Sequence, residues 1–290
     1  MKQNIILVLK GFLMGIANVI PGVSGGTIAL IVGIYEDFIS SISHFFSNFK
    51  KNIKFLLPVF IGMGLAILLL SKLIDYSYNH VPVLVTLFFM GLVIGGIPLI
   101  ISNIKSSKEK NKNINYILCI FTFLLVILFA LAPVLFNTDY KVDFTNMNIL
   151  SYIILLIIGI IASATMVIPG ISGSLVLMLL GYYYPIINTI KNLTDFSNIF
   201  SNCLILGIFG IGILIGIVVI SKILEYLFKN YKKSTYYAVL GFIIASVLAI
   251  PISTYINVEN ISFNLIEILF GILFLFIGMI ISYYLGDKNN

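Results

Sequence analysis

Ser24 and Ser172 each sit in a polar, glycine-rich break within otherwise apolar sequence. The two stretches read Ile20-Pro21-Gly22-Val23-Ser24-Gly25-Gly26 and Ile168-Pro169-Gly170-Ile171-Ser172-Gly173-Ser174. Pro-Gly interrupts a helix. A limb restarting beyond it would offer backbone N–H groups at Ser24, Gly25, Gly26 and Thr27, and again at Ser172, Gly173 and Ser174. Such amides, with the positive end of a helix dipole, form an anion site. Glycine lets a ligand approach closely, and the hydroxyls add donors. Hydrolysis is a rival chemistry, because Gly22-Val23-Ser24-Gly25-Gly26 fits the G-x-S-x-G pattern of a displayed nucleophile. That serine needs a base within reach. The histidines, His44 and His80, fall in expected loops, and Ser172 repeats the serine without a catalytic partner. A plainer reading has the turns only letting helices pack, with Ser and Thr as caps. A single copy would be read that way; two opposed copies support the anion site.

Other polar residues near these stretches are few. Lys10 lies within the apolar limb ahead of the first break, where snorkelling and attraction of a phosphate are both open. Asn18 is placed to hydrogen-bond the turn. Glu36 and Asp37 close the first hairpin; solvation accounts for them, and Glu36 could also carry a coupling proton. Lys72/Asp75 and Lys222/Glu225 occupy matching helix ends and read as interfacial anchors and local pairs. Cys119 and Cys203 lie in apolar segments without metal or redox spacing and read as packing residues. No metal or cofactor pattern is present.

The elements holding these residues belong to a membrane. Hydrophobic residues make up 60% of 290 and charged residues 10%, with mean hydropathy +1.13. A soluble chain would carry about 25% charged residues. The class is an all-α integral membrane protein. The net charge of +6 is therefore no nucleic-acid footprint. The N-terminal apolar stretch resembles a signal peptide, but Lys10 interrupts it and no small-x-small site precedes Pro21.

The break motif recurs at a shift of 148 residues (168 − 20), with Gly33 and Tyr35 returning as Gly181 and Tyr183. Ser71 to Tyr76 returns as Ser221 to Tyr226, and Gly91 as Gly241, both at 150. Three anchors in one order imply duplication into residues 1–148 and 149–290. Each half holds five apolar segments: 4–20, 22–42, 53–74, 82–103 and 115–136, then 150–168, 170–190, 203–226, 236–256 and 263–286. The first two in each half form a broken hairpin, and three transmembrane helices follow. Lysines at 50, 51, 54, at 105, 108, 110, 112 and at 229, 232, 233 mark cytoplasmic loops. Loops around His80, Asp139 to Asp143, Asp195 and Glu259 suit the outside. Both termini then lie in the cytoplasm and the two repeats are inverted. The limb from Ile5 to Ile20 would be about 24 Å of helix, short of a hydrocarbon core of about 30 Å. Re-entry fits better than two full spans, and either gives the same topology.

At these residues a resemblance enters. "MGIANVIPGVSGGTIALIVGIYE" is similar to the signature of the bacterial polyprenyl-phosphate translocases, and "IPGISGSLVLMLLGYY" to their second motif. The resemblance covers essentially the whole chain and departs at Asn18, where Asp is expected. It implies a flippase rather than an enzyme. Its cargo would be undecaprenyl phosphate, returned from the outer to the cytoplasmic leaflet of the bacterial cytoplasmic membrane for cell-wall polymer synthesis. Phosphate would meet the two motifs, supported by Lys10, Asn18, Pro21, Gly22, Pro169, Gly170 and Glu36, while the prenyl tail stays in lipid. A proton or sodium ion could couple the cycle. A transporter of a small soluble anion is the alternative.

Overall fold

The computed structural model describes residues 2–19, 23–110, 112–135, 142–144, 147–192, 199–258 and 264–287. Pro21, Gly22, Asp139, Asp195 and Glu259 lie outside them, as do the side chains of Lys72 and Asp75. The described residues are helical, with no strand among them.

Twelve helices follow one another in two similar sets of six. The first set is α1 (Lys2–Val19), α2 (Gly25–Ile31), α3 (Tyr35–Ser43), α4 (Phe49–His80), α5 (Pro82–Ser106) and α6 (Asn113–Leu135). The second is α7 (Ile149–Val167), α8 (Gly173–Leu179), α9 (Tyr183–Lys191), α10 (Ile199–Asn230), α11 (Lys232–Asn257) and α12 (Leu265–Asp287). Seven of the described helices are long and apolar enough to cross a membrane, whereas the apolar part of α1, Asn4–Asn18, is shorter. Pro58, Pro98, Pro133 and Pro251 sit inside helices. Membrane helices tolerate this because neighbouring groups satisfy the freed carbonyls.

Two expectations change. The limbs at 22–42 and 170–190 are not single helices. Each is cut again, between α2 and α3 at 120° and between α8 and α9 at 109°. The segments at 53–74 and 203–226 extend to 32 residues each, as α4 and α10. His80 and the Lys229–Lys233 group are therefore helical rather than in loops, and only Val81 and Tyr231 separate those helices from the next.

Close backbone approach sets the packing. A Cβ added at Gly11 would overlap the Val59 carbonyl, and one at Gly15 would meet Met63. A step of four on both helices makes α1 and α4 parallel. The same register pairs α7 with α10 (Gly212 on Leu156, Gly216 on Ile160) and α5 with α12 (Gly91 on Leu275, Gly95 on Met279). Small residues at such contacts let helices associate where lipid removes the hydrophobic drive. In the fourth pair, α6 with α11, Ser234 donates to Asn115 at 2.7 Å and Thr122 to the Ala238 carbonyl at 2.7 Å. Helices α5 and α11 are the most enclosed, with 50% and 44% of their apolar windows buried against 17% for α12, so they form the centre. They cross antiparallel, with Thr86 and Thr254 hydrogen-bonded at 2.8 Å.

These registers gather all three lysine clusters at one end of the bundle. The Asn52 side chain donates to the His44 carbonyl at 2.7 Å, which brings the start of α4 to the end of α3. His44 contacts Glu225 near the end of α10, and Lys233 donates to the Glu109 carbonyl between α5 and α6. We refer to the lysine end and the opposite end.

Candidate functional site

The second cut in each hairpin follows from one glycine. Gly33 and Gly181 adopt φ values of 71° and 77°, open to glycine at little cost. Both copies close the helix with the same bonds: Gly33 N donates to Leu30 O and Ile34 N to Ala29 O, while Gly181 N donates to Met178 O and Tyr182 N to Leu177 O. This is the Schellman C-terminus, in which the left-handed residue lets the last carbonyls find donors. Helices α2 and α8 are therefore two-turn plugs, each set between a polar break and a glycine hinge.

The breaks meet one another. Gly170 N donates to the Thr27 hydroxyl at 2.8 Å, and the Tyr35 hydroxyl donates to the Val167 carbonyl at 2.9 Å. A Cβ on Gly26 would stand 2.7 Å from that same Val167 oxygen. The start of α2 thus rests on the end of α7, where Ile168 caps the helix and buried Pro169 prevents its continuation. Asn18 Oδ1 accepts from Gly25 N at 3.1 Å. The amide of Gly25 is therefore engaged within the chain, contrary to its expected freedom. The Ser24 hydroxyl is buried without a hydrogen-bond partner among the described residues, whereas the hydroxyls of Ser172 and Ser174 pair at 2.7 Å. An unpaired buried hydroxyl is costly and points to a missing partner.

Two cavities approach this centre from opposite ends. One, about 220 Å³, is lined by Gly170, Ile171 and Ser172 of the second motif, with Leu175, Met178, Tyr184, Ser253 and the α6 residues Val126, Phe129 and Pro133. It lies between α6, α8 and α11, and its lining mixes apolar side chains with the polar residues Ser172, Tyr184 and Ser253. The other, about 360 Å³, opens at the lysine end among Leu30, Tyr35, Glu36, Asp37, Asn103 and Tyr236. No described residue of the first motif lines it.

The remaining expected residues divide. Lys10 is 2% exposed, so it does not snorkel; Asp37 is the charge close enough to act on it. Glu36 is at the lysine-end cavity, where it accepts from the Tyr236 hydroxyl and pairs with Lys232 at 3.3 Å. Glu225 pairs across helices with His44 at 3.2 Å and accepts from Ser40 at 3.3 Å. His80 bonds the Tyr76 carbonyl and stacks on the Tyr76 ring. Both histidines are thus engaged away from Ser24, which lacks any bonded base. Reading the sequence missed Tyr35, Tyr236 and the Thr27–Gly170 bond. The recurrence of Gly33-x-Tyr35 as Gly181-x-Tyr183 was the available signal for the hinge.

A family model described as undecaprenyl phosphate translocase-like matches residues 14–266. The chain is 36% identical over 285 residues to a polyprenyl-phosphate transporter of Staphylococcus aureus, covering 96% of this chain and 95% of that one. It is 32% identical over 241 residues to a polyprenyl-phosphate transporter of Vibrio cholerae, covering 78% and 71%. No solved structure matches. By the extent of the family match and of both relatives, the chain belongs to the undecaprenyl phosphate translocase-like family of multi-pass membrane proteins.

Proposed function

We propose that the chain is a transporter, not an enzyme, and carries undecaprenyl phosphate or a close polyprenyl phosphate across the bacterial cytoplasmic membrane. The direction is from the outer to the cytoplasmic leaflet, which returns the carrier for cell-wall polymer synthesis. The carrying observation is the cavity between α6, α8 and α11 that Gly170 and Ser172 line, beside the contact between the two breaks. Its apolar walls suit the first isoprene units, and its polar edge suits a phosphate.

The phosphate contacts are Ser24, Gly26 and Thr27 on one side and Ser172, Gly173 and Ser174 on the other. Ser24 supports this most directly, because its hydroxyl is buried and has no partner among the described residues. Asn18 and Gly25 hold the turn, Gly170 joins the two motifs, and Lys10 supplies positive charge nearby. Pro21, Gly22 and Pro169 keep the chain from continuing as helix. The halves 1–148 and 149–290 act as inverted repeats around this centre. Their matched helix lengths and the parallel pairs α1·α4 and α7·α10 support that reading. With the lysine end in the cytoplasm, the opposite-end cavity faces the outer leaflet.

The test is reconstitution into vesicles with labelled undecaprenyl phosphate in one leaflet. Protein-dependent exchange is expected, and imposed proton, sodium and voltage gradients then report any coupling ion. No exchange, with uptake of inorganic phosphate instead, would replace the lipid by a soluble anion. Cleavage of the lipid phosphate that Ser24→Ala abolishes would make the protein a hydrolase.

A further inference from the structure

We propose that α6 is the tail-binding helix, touching only the isoprene units next to the phosphate, while the rest of the prenyl chain leaves between α6 and α8 into lipid. The protein then carries polyprenyl monophosphates without measuring their length. This rests on the lipid-phosphate reading above and adds the place of the tail and the specificity that follows from it.

The stripe that α6 gives to the cavity at Ser172 is Val126, Phe129, Ala130 and Pro133, at i, i+3, i+4 and i+7 of one helix face. Two bonds earlier in the helix turn that face inward. Asn115 accepts from Ser234 of α11, and Thr122 donates to the Ala238 carbonyl. The other face carries Leu124, Leu128 and Leu131, all exposed, as a helix bordering lipid requires. Helix α6 thus adds apolar groups alone to a cavity whose hydroxyls come from other elements. A phosphate held at Ser172 has this stripe within the same space for the carbons attached to it.

Size decides where the remaining tail goes. The cavity is about 220 Å³, far smaller than an undecaprenyl chain, so most of that chain must lie elsewhere. Its α11 wall backs onto the centre of the bundle, with 44% of the apolar window of α11 buried against 22% for α6. The way to lipid is therefore past α6. Phe129 and Pro133 are not fully buried there, nor are Leu175 and Met178 on α8, so the seam between these helices borders the outside. Beyond the seam a tail exchanges lipid for lipid and gains nothing from its length. A methylene inside a protein pocket, by contrast, changes affinity by roughly ten- to two-hundredfold. Discrimination is confined to the units inside.

Equilibrium binding in nanodiscs tests this with undecaprenyl phosphate, the much shorter geranylgeranyl phosphate, and inorganic phosphate. At equal mole fraction the two lipids should bind within about threefold of each other, because the added units stay in lipid. Phe129→Ala should weaken both by about tenfold through lost apolar contact and leave inorganic phosphate unmoved. Ala130→Phe, which fills the stripe instead of emptying it, should also weaken both lipids in monodisperse protein. Leu128→Ala, on the lipid face, should change neither. A larger preference for the longer lipid overturns the indifference to length, and unchanged lipid affinity in both stripe variants overturns the α6 site. In either case the lipid-phosphate reading stands. Binding of inorganic phosphate with neither lipid bound brings that reading down as well.

Discussion

The plug of the first broken hairpin is buried throughout, and that of the second is not. All seven residues of α2 are buried, while in α8 only Gly173 and Val176 are. Tyr35 at the start of α3 is buried, whereas Tyr184 on α9 is half exposed at the rim of a cavity. The two stretches share a motif, a hinge and helix lengths. The side chains along the plugs differ, GGTIALI against GSLVLML, and Thr27, which accepts from Gly170, is replaced by Leu175 in the second copy. A shared motif and hinge can therefore build the same plug and still leave it held with different firmness.

Substitution of the plug glycines separates the two most strongly. Gly26→Val would drive a branched side chain into the Val167 carbonyl, and backbone cannot swing aside. Overpacking of this kind costs about 1–3 kcal/mol. Lost exchange in vesicles and a lowered Tm in detergent are expected. Gly173→Val meets the Met166 side chain, which is 50% exposed and able to move outward, and its Cβ stands 3.0 Å from the Ala162 carbonyl, farther than the 2.7 Å at Gly26. A smaller fall in Tm should follow. Equal damage from both would contradict the looser second hairpin. Gly25→Val is a poorer probe of ligand approach, because its Cβ would stand 2.5 Å from Asn18 Oδ1.

Removing the motif hydroxyls sharpens the contrast in binding. Ser24→Ala deletes a group with no partner among the described residues, so Tm should hold or rise slightly. If the hydroxyl waits for phosphate, titration with undecaprenyl phosphate should show affinity lower by roughly ten- to hundredfold, the worth of a hydrogen bond to a charged group. Ser172→Ala should lose less, because Ser174 remains beside it. Unchanged affinity in Ser24→Ala would remove this serine from the site.

The smallest effects concern the bonds that tie the turns. Asn18→Ala removes the acceptor of Gly25 N and should cost about 1 kcal/mol in thermal unfolding, while Asn18→Asp keeps an acceptor and should cost less. Tyr35→Phe frees the Val167 carbonyl and should likewise cost about 1 kcal/mol, whereas its counterpart Tyr183→Phe should leave Tm almost unmoved. A Tyr183 effect as large as that of Tyr35 would mean that both hairpins are tied alike.

Hydropathy and the repeated motif made the membrane class, the paired breaks and the long helices legible, because period and composition report directly on burial in lipid. Gly33 was visible as a repeated residue but not as a hinge. A lone glycine in an apolar run fits a helix equally well, and only its φ decides. The amide of Gly25 was misjudged because Asn18 reaches it across a turn whose geometry no spacing specifies. Glu36 was legible as polar and terminal. Its partners, Tyr236 and Lys232, lie about two hundred residues away and are brought close by packing alone.

The glycine seams also carry a consequence for biosynthesis. The seam on α5 is covered by α12, made long after it, and α6 is covered by α11. A nascent chain that has inserted its first six helices therefore holds two of them with their contact faces turned to lipid. These faces stay unmatched until the ribosome has passed Leu265. A chain truncated before that point would carry every element of the first motif and still leave Gly91 and Gly95 unpaired. Membrane quality control would meet it as an orphan.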